Sequence, residues 1–414
     1  MTREVYSFWY LRNNTAIGLQ PNCCKRPHTL HSRTDLCFPP EMKSLRRVHH
    51  TPRLRLLRAM LLIYVLRLSS VRTSAQTVCG VTQTSPIRVD NATGAGLLQT
   101  AANCTGSGEV EAEWAGVVAL DGPIAVAEGT FLSVTGEDAL AEVHAGNFQT
   151  RLFQVYSGGG LTLTRLKLSG GSAARGGAIL SESANLTLDA CVFEKNVATD
   201  GNGGAVWTSG GNVTIVGGEF LDNRATQYGG AVHSIDGRFV IEGGARFKGN
   251  RGVGGGALFC GLGEVGSEKQ SAVCSITDAE FVSNSAARPL HEVEYKLEEL
   301  SAVGFTYLDG GGAAMFLYAD VDITDSVFSG NHAQLPGGAL HGGADTKFSI
   351  SGCTFANNTS DKYAGAISAS YMTLGGGVQL KNNRALVDGG AVSDPIKRKY
   401  LFVNEDYYCS VDWR

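Results

Sequence analysis

A repeat of about 26 residues is the feature of this sequence that most constrains its fold. One signature is Gly-Gly-Ala followed by an apolar residue, which begins at Gly176, Gly203, Gly229, Gly255, Gly311, Gly337 and Gly389, with an Ala-Gly-Ala variant at Ala364. A second signature, Phe-x-x-Asn, gives the pairs Phe193/Asn196, Phe220/Asn223, Phe247/Asn250, Phe281/Asn284, Phe328/Asn331 and Phe355/Asn358, and a seventh pair in which Leu380 precedes Asn383. Two signatures that stay in phase over this distance predict a solenoid in which each repeat forms one coil.

Each unit also contains a short stretch in which apolar and polar residues alternate, such as Leu-Thr-Leu at 186–188 and Val-Thr-Ile at 213–215. A period of two residues is typical of a half-buried β-strand. A helical repeat is disfavoured, because 54 of the 414 residues are glycine and glycine opposes helix formation. The sequence therefore predicts an all-β solenoid of parallel strands, with about three short strands and three turns in each coil.

Stacking gives each repeated position a physical meaning. Coils of a parallel solenoid lie about 4.8 Å apart, so equivalent side chains lie directly above one another. Phenylalanine on phenylalanine predicts an aromatic stack inside the tube, and asparagine on asparagine predicts an amide ladder at a turn. The paired glycines predict a corner that needs positive φ or a close backbone approach.

The pairing of Gly-Gly-Ala-(Ile/Leu/Val) with Phe-x-x-Asn, over about residues 155–393, resembles the repeats of the chlamydial polymorphic outer membrane proteins. Those repeats belong to surface-exposed, adhesin-like domains. The resemblance implies a right-handed parallel β-helix that works at the cell surface by adhesion. The chain also carries several N-glycosylation sequons, a feature that the resemblance does not account for.

Charge and hydropathy divide the chain into segments. Residues 1–59 carry 11 basic and 3 acidic side chains, whereas 76–414 carry 22 basic and 36 acidic ones, a net charge of −14 that argues against nucleic-acid binding. Residues 60–75 have the pattern of a secretory signal peptide, with a basic flank before a short apolar run and small residues after it.

We expect a disordered leader or spurious extension at 1–59, an N-terminal cap at 76–107, the β-helix at 108–393 and a C-terminal cap or tail at 394–414. The mature chain is expected to be secreted or held at the cell surface, without a membrane span, because no later stretch is apolar over the length of a bilayer.

The repeat is interrupted once. The interval from Gly255 to Gly311 predicts a lateral insertion of about 30 residues within 261–310, and residues 289–300 have an amphipathic helical pattern. Insertions of this kind often carry binding function, although a neutral surface loop would give the same pattern.

The cysteines suggest disulfides, which an exported protein can form. Cys260 and Cys274 bracket a short insertion and are predicted to pair. A second expected pair joins Cys79 to Cys104 in the N-terminal cap. Two further cysteines occupy equivalent positions five coils apart, too distant to bridge, and are expected to be buried. No Cys or His cluster has the spacing of a zinc site.

Two sets of residues are candidates for surface chemistry. Trp207, His233 and Phe259 follow Gly-Gly-Ala in three successive coils, where they could stack on sugars or contact a protein, or else pack beneath a loop. N-glycosylation sequons follow the signal segment at Asn91, Asn103, Asn185, Asn212, Asn357 and Asn358. The sequons at 185 and 212 have a purely structural alternative explanation, in which their threonines are the outward-facing residues of a strand.

Three functions fit this pattern. The first is an adhesin-like, non-catalytic protein that recognises an extracellular glycan or a surface protein. The second is a polysaccharide lyase, hydrolase or epimerase of the pectin-lyase-like fold, which would need clustered carboxylates in adjacent coils. The third is a structural component of a wall or matrix. Because no such carboxylate cluster is found, the sequence predicts no catalytic, cofactor-binding or metal-binding residue.

Overall fold

The computed structural model describes residues 75–78, 81–84, 86–137, 141–146, 149–263, 271–288, 310–387, 390–394 and 399–401. A parallel β-solenoid of about 10 turns, with about 27 residues per turn, makes up nearly all of them. The predicted fold class, an all-β parallel helix, is therefore confirmed. The expected leader and signal peptide, the predicted helix at 289–300 and most of the predicted C-terminal tail lie outside the described residues.

Each regular coil contributes one strand to each of four parallel sheets, which we number 1 to 4 in the order that the chain visits them. The prediction of three strands per coil was wrong by one. The additional strand is only two residues long, as at Val197–Ala198, so it is too short to produce an alternating pattern. It follows directly after the ladder asparagine and forms the narrow side of the tube.

Sheet 1 contains Ile87–Val89, Gly108–Trp114, Thr130–Gly136, Gly160–Thr164, Asn185–Asp189, Asn212–Val216, Arg238–Glu242, Ala272–Thr277, Ala319–Thr324, Lys347–Ser351 and Tyr371–Leu374. Sheet 2 contains Val117–Leu120, Glu142–Ala145, Lys167–Ser169, Val192–Glu194, Glu219–Leu221, Arg246–Lys248, Glu280–Val282, Val327–Ser329, Thr354–Ala356 and Gln379–Lys381. Sheet 3 contains Ser172–Ala173, Val197–Ala198, Arg224–Ala225, Arg251–Gly252, Ser285–Ala286, His332–Ala333, Thr359–Ser360 and Arg384–Ala385. Sheet 4 contains Ile124–Val126, Phe153–Val155, Ile179–Glu182, Val206–Ser209, Val232–Ile235, Leu258–Gly261, Ala314–Leu317, Leu340–Gly342, Ile367–Ser368, Val392–Asp394 and Lys399–Leu401.

The N-terminal end of the solenoid carries one helix, α1, at Ala92–Ala102. The Asn91 side chain caps it by accepting a hydrogen bond from the Gly94 amide at 3.0 Å. Leu98 on its inner face is fully buried, so the helix covers apolar side chains of the first coils. Before it, Ala75–Val78 and Val81–Thr84 form an antiparallel pair.

Six phenylalanines stack along the inside of sheet 2. Neighbouring ring centroids lie between 4.6 and 4.9 Å apart and the rings are within 6° of parallel. Each ring is at most 1% exposed. Leu168 and Leu380 are the register partners at the two ends of the stack. The strand spacing fixes this geometry, because each ring can be displaced from the next only by the separation of the coils.

The asparagines form a continuous amide ladder at the turn that follows sheet 2. The Asn223 Oδ1 accepts hydrogen bonds from both the backbone N–H and the Nδ2 of Asn196, each at 3.0 Å. The Asn223 Nδ2 donates to the Phe193 carbonyl at 2.9 Å and to Asn250 Oδ1 at 3.0 Å. Each amide is therefore satisfied by the preceding coil and by the next coil, which permits the complete burial of Asn223. The pattern repeats through Asn284, Asn331 and Asn358 to Asn383.

The two glycines of Gly-Gly-Ala are required for different physical reasons. The first has positive φ, as at Gly203 with 67°, a conformation that glycine adopts without strain. The second has no room for a side chain. A Cβ at Gly204 would lie 2.1 Å from the Gly230 carbonyl oxygen of the next coil.

The described cysteines are either disulfide-bonded or buried as free thiols. Cys260 and Cys274 form a disulfide inside the tube, with Cα atoms 6.6 Å apart. Cys104 is disulfide-bonded too, and its expected partner, Cys79, lies outside the described residues. Cys191 and Cys353 are free and buried, and burial raises the pKa of their thiols to about 12 and about 11.

The amide ladder predicts a large effect of Asn223→Ala on stability. Removing the side chain leaves two donors of Asn196 and the Phe193 carbonyl unsatisfied in the interior, each at a cost of about 1–3 kcal/mol. We expect the free energy of unfolding to fall by about 3 kcal/mol or more, measured by urea denaturation and circular dichroism. In the same coil, exposed Asn212→Ala should change it by less than about 0.5 kcal/mol. Equal effects of the two substitutions would contradict the role of the ladder.

Candidate functional site

The aromatic column predicted to face a ligand lies on the outer side of sheet 4, but it is covered. Trp207, His233 and Phe259 stack along the axis, with His233 and Phe259 centroids 4.7 Å apart. They are 8%, 4% and 4% exposed. The chain before each Gly-Gly-Ala folds back over them, placing Arg175 5.7 Å from the Trp207 ring centroid and Tyr228 against Phe259. Of the two alternatives for these residues, a ligand-binding face or packing beneath a loop, their burial favours the second.

His233 is neutral in this setting. Burial, and then the positive charge of Arg175, lower the pKa of its imidazole to about 3. The Nδ1 atom is buried and has no hydrogen-bond partner among the residues that the structure describes, which a neutral ring tolerates better than an imidazolium. The histidine contributes here as a flat ring in a stack.

An open groove runs along the outer face of sheet 3. Its volume is about 480 Å³, and its lining includes Arg224, Arg251, Arg288, His332 and Asp361. A second depression of about 390 Å³ continues it around the corner towards sheet 2 and shares two of those arginines. We call the combined feature the basic groove, because arginine and lysine outnumber aspartate among its lining residues.

The position after the ladder asparagine supplies two of these cations. Arg224 and Arg251 are register partners on adjacent strands of sheet 3, so their backbones lie about 4.8 Å apart. Both side chains are exposed, and neither forms an ion pair with a described carboxylate. Like charges placed opposite each other in a sheet are destabilising. This pair therefore has a cost in the free protein that an anionic ligand would remove.

A charged column on sheet 2 is compensated, in contrast to this pair. Arg246 forms ion pairs to Glu219 and Glu280, its register partners in the coils on either side. Lys167 contacts Glu142, its register partner in the preceding coil, and Glu194 of the following coil, which lies beside the column, and its hydrogen bond to Glu194 raises the pKa of the lysine. The sign of the charge alternates between neighbouring charged residues of this column, whereas in the basic groove two arginines are neighbours.

His332 lies two coils beyond Arg251 in the same column of sheet 3. Its Nδ1 is 3.0 Å from the Thr359 hydroxyl and its Nε2 is 3.6 Å from Asp361 Oδ2. The imidazole is half-exposed and is held at the floor of the groove. Across the parts of the chain that the structure describes, no group of three or more His, Cys, Asp or Glu side chains could hold a metal ion.

The predicted glycosylation sites are distributed over the surface. Asn358 is fully buried in the ladder, so its side chain is inaccessible to a glycosyltransferase. The remaining sequon asparagines are exposed: Asn91, Asn103, Asn185, Asn212 and Asn357.

The sequence reasoning missed the basic groove, although a signal was present. Aligning the repeats on the ladder asparagine places arginine or histidine next to it in four coils, at Arg224, Arg251, His332 and Arg384. The predicted binding loops at 264–270 and 289–309 lie outside the described residues. Arg288, which lines the groove, directly precedes the second of them.

The described residues thus form a parallel β-solenoid with a basic groove along one side. Comparison with known proteins finds no match among family models, curated sequences or solved structures. No helix among the described residues is long and apolar enough to cross a bilayer.

The buried imidazole predicts acid sensitivity. Because the pKa of His233 is about 3 in the folded protein and about 6.5 in an unfolded chain, the unfolded state alone binds a proton between these values. Stability should therefore fall as pH drops below about 6.5. Between pH 7 and pH 5 the wild type should lose about 2 kcal/mol more than His233→Phe, measured by urea denaturation at both pH values. The same loss in both proteins would contradict a neutral buried histidine.

Proposed function

We propose that this protein is an extracellular, non-catalytic binding scaffold that recognises an acidic glycan through the basic groove. The observation that carries the proposal is the Arg224–Arg251 pair, two exposed cations in register that have no carboxylate partner among the described residues. The groove runs parallel to the solenoid axis, so a linear polymer can lie along it. Guanidinium groups match carboxylate and sulfate oxygens with paired, charge-assisted hydrogen bonds.

The charge distribution supports an acidic ligand over a general electrostatic attraction. The region after the signal segment has a net charge of −14, so the surface as a whole repels polyanions. A local cationic strip within such a surface gives selectivity for position and orientation. The signal-peptide pattern of residues 60–75 supports export, which would place the groove among extracellular polysaccharides.

The proposal predicts that Arg224→Gln/Arg251→Gln weakens binding of an oligogalacturonate at least about tenfold, since each lost charge-assisted contact is worth about 1 kcal/mol or more. Isothermal titration calorimetry would measure this for the full chain. The methyl-esterified oligomer, which lacks the charge, should bind weakly to the wild type. The matched control is Arg238→Gln/Lys347→Gln, which removes two exposed cations from sheet 1 and should leave affinity unchanged.

Two results would overturn this function. One is equal weakening by the control pair, because binding would then follow net charge alone. The other is an absence of selectivity among acidic and neutral glycans on an array, which is expected of a purely structural component.

A second function, uronate cleavage by a lyase, is favoured by the place of His332 in the same groove. In a β-elimination, an arginine neutralises the substrate carboxylate and a base takes the proton from the adjacent carbon. The C–O bond to the leaving sugar then breaks, its electrons go to the departing oxygen, and a carbon–carbon double bond forms. His332 and Asp361 lie 3.6 Å apart beside the arginine column, so a base and a carboxylate-binding group share one surface.

This second candidate predicts ultraviolet absorbance from an unsaturated product when the protein is incubated with polygalacturonate. His332→Ala should abolish product formation while binding of the oligomer persists, because the arginines remain. If the wild type forms no product but binds the oligomer, the lyase candidate is wrong and the non-catalytic scaffold remains.

A further inference from the structure

A second surface lies at the N-terminal end of sheet 1, and it carries acidic and aromatic side chains in place of the arginines of the basic groove. Phe131 points outward there and is 49% exposed. Its register partners are Glu109 in the preceding coil and Gly160 in the following one. The ring therefore presents an apolar surface beside the polar residues that line the adjoining depression.

Gly160 sets the shape of this surface. A Cβ at that position would lie 2.8 Å from Phe131 Cδ1, so the ring lies over the glycine backbone along the sheet. The missing side chain also leaves a step between Phe131 and Asn185, the next residue in the column. The resulting depression has a volume of about 230 Å³, and we call it the Phe131 site.

Polar groups surround the ring in a regular array. Ser133, Thr162 and Thr187 form one column of hydroxyl groups beside it, and each hydroxyl can both donate and accept a hydrogen bond. Glu109 and Glu111 border the open end. Glu109 is exposed and forms no ion pair with any described residue.

These groups select a ligand by their chemistry. An apolar ring bordered by hydroxyl groups matches a pyranose, which has an apolar face and a rim of hydroxyls. The carboxylates and the negative face of the phenyl ring both favour a positive charge and repel the uronates that suit the basic groove. We propose that the Phe131 site binds a hexosamine unit whose amine is unacetylated and protonated. The site is independent of the basic groove, which lies on sheet 3.

The test uses isothermal titration calorimetry of the full chain with a β-1,4-linked tetramer of glucosamine and with its fully N-acetylated counterpart. We expect the glucosamine tetramer to bind, and the acetylated tetramer to bind at least about tenfold more weakly, because acetylation removes the charge. Phe131→Ala and Glu109→Gln should each weaken binding of the glucosamine tetramer by a similar factor. Both side chains are exposed, so these variants should fold, and their thermal denaturation would verify it.

The matched control is Tyr371→Ala, which removes an exposed aromatic side chain from the same outer column at the far end of sheet 1. It should leave affinity unchanged. The proposal is overturned if the glucosamine tetramer does not bind, if the acetylated tetramer binds as tightly, or if Tyr371→Ala has the same effect as Phe131→Ala. It is also overturned if tetralysine binds as tightly as the glucosamine tetramer, because charge alone would then explain the attraction. None of these results would affect the oligogalacturonate experiment on sheet 3.

Discussion

The hydrogen bonding of each ladder asparagine to the next is the interaction on which the rest of this structure depends. It occurs at the turn where the backbone leaves sheet 2, and there the backbone N–H of each asparagine donates to the side-chain oxygen of the next one. By accepting two bonds and donating two, an amide such as Asn223 joins the coil before it to the coil after it. The Phe stack beside it then fixes the same register through shape. Polar and apolar ladders together hold equivalent residues in line.

That alignment converts a linear sequence into columns, and the columns carry the surface chemistry. Where the residue changes sign from coil to coil, as at Glu219, Arg246 and Glu280, the column neutralises itself. Where the residue repeats its sign, as at Arg224 and Arg251, the column leaves a net charge. Where a glycine follows an aromatic residue, as at Gly160 after Phe131, the column leaves space beside a ring. Each surface feature is thus a difference between neighbours in one column.

The sequence was sufficient to predict the inside of the tube, because two signatures and a period of two determine which side chains point inward. It was less informative about the outside. The position of Trp207 outside sheet 4 follows from alternation, but its burial depends on how the chain near Arg175 folds back. Helix α1 was missed because Gly94 and Gly96 weaken its helical pattern. The basic groove was missed because a single residue per coil carries it, without any periodicity along the chain.

The Gly204 contact has a consequence for how such a chain can change in evolution. A Cβ there meets a carbonyl oxygen of the neighbouring coil, so a point substitution disturbs two repeats at once. Duplication or deletion of a whole repeat, in contrast, places an identical glycine against an identical carbonyl and introduces no new clash. Copy number is therefore the variable that selection can alter most freely, and the reach of any polymer lying along the axis would change with it in steps of one coil.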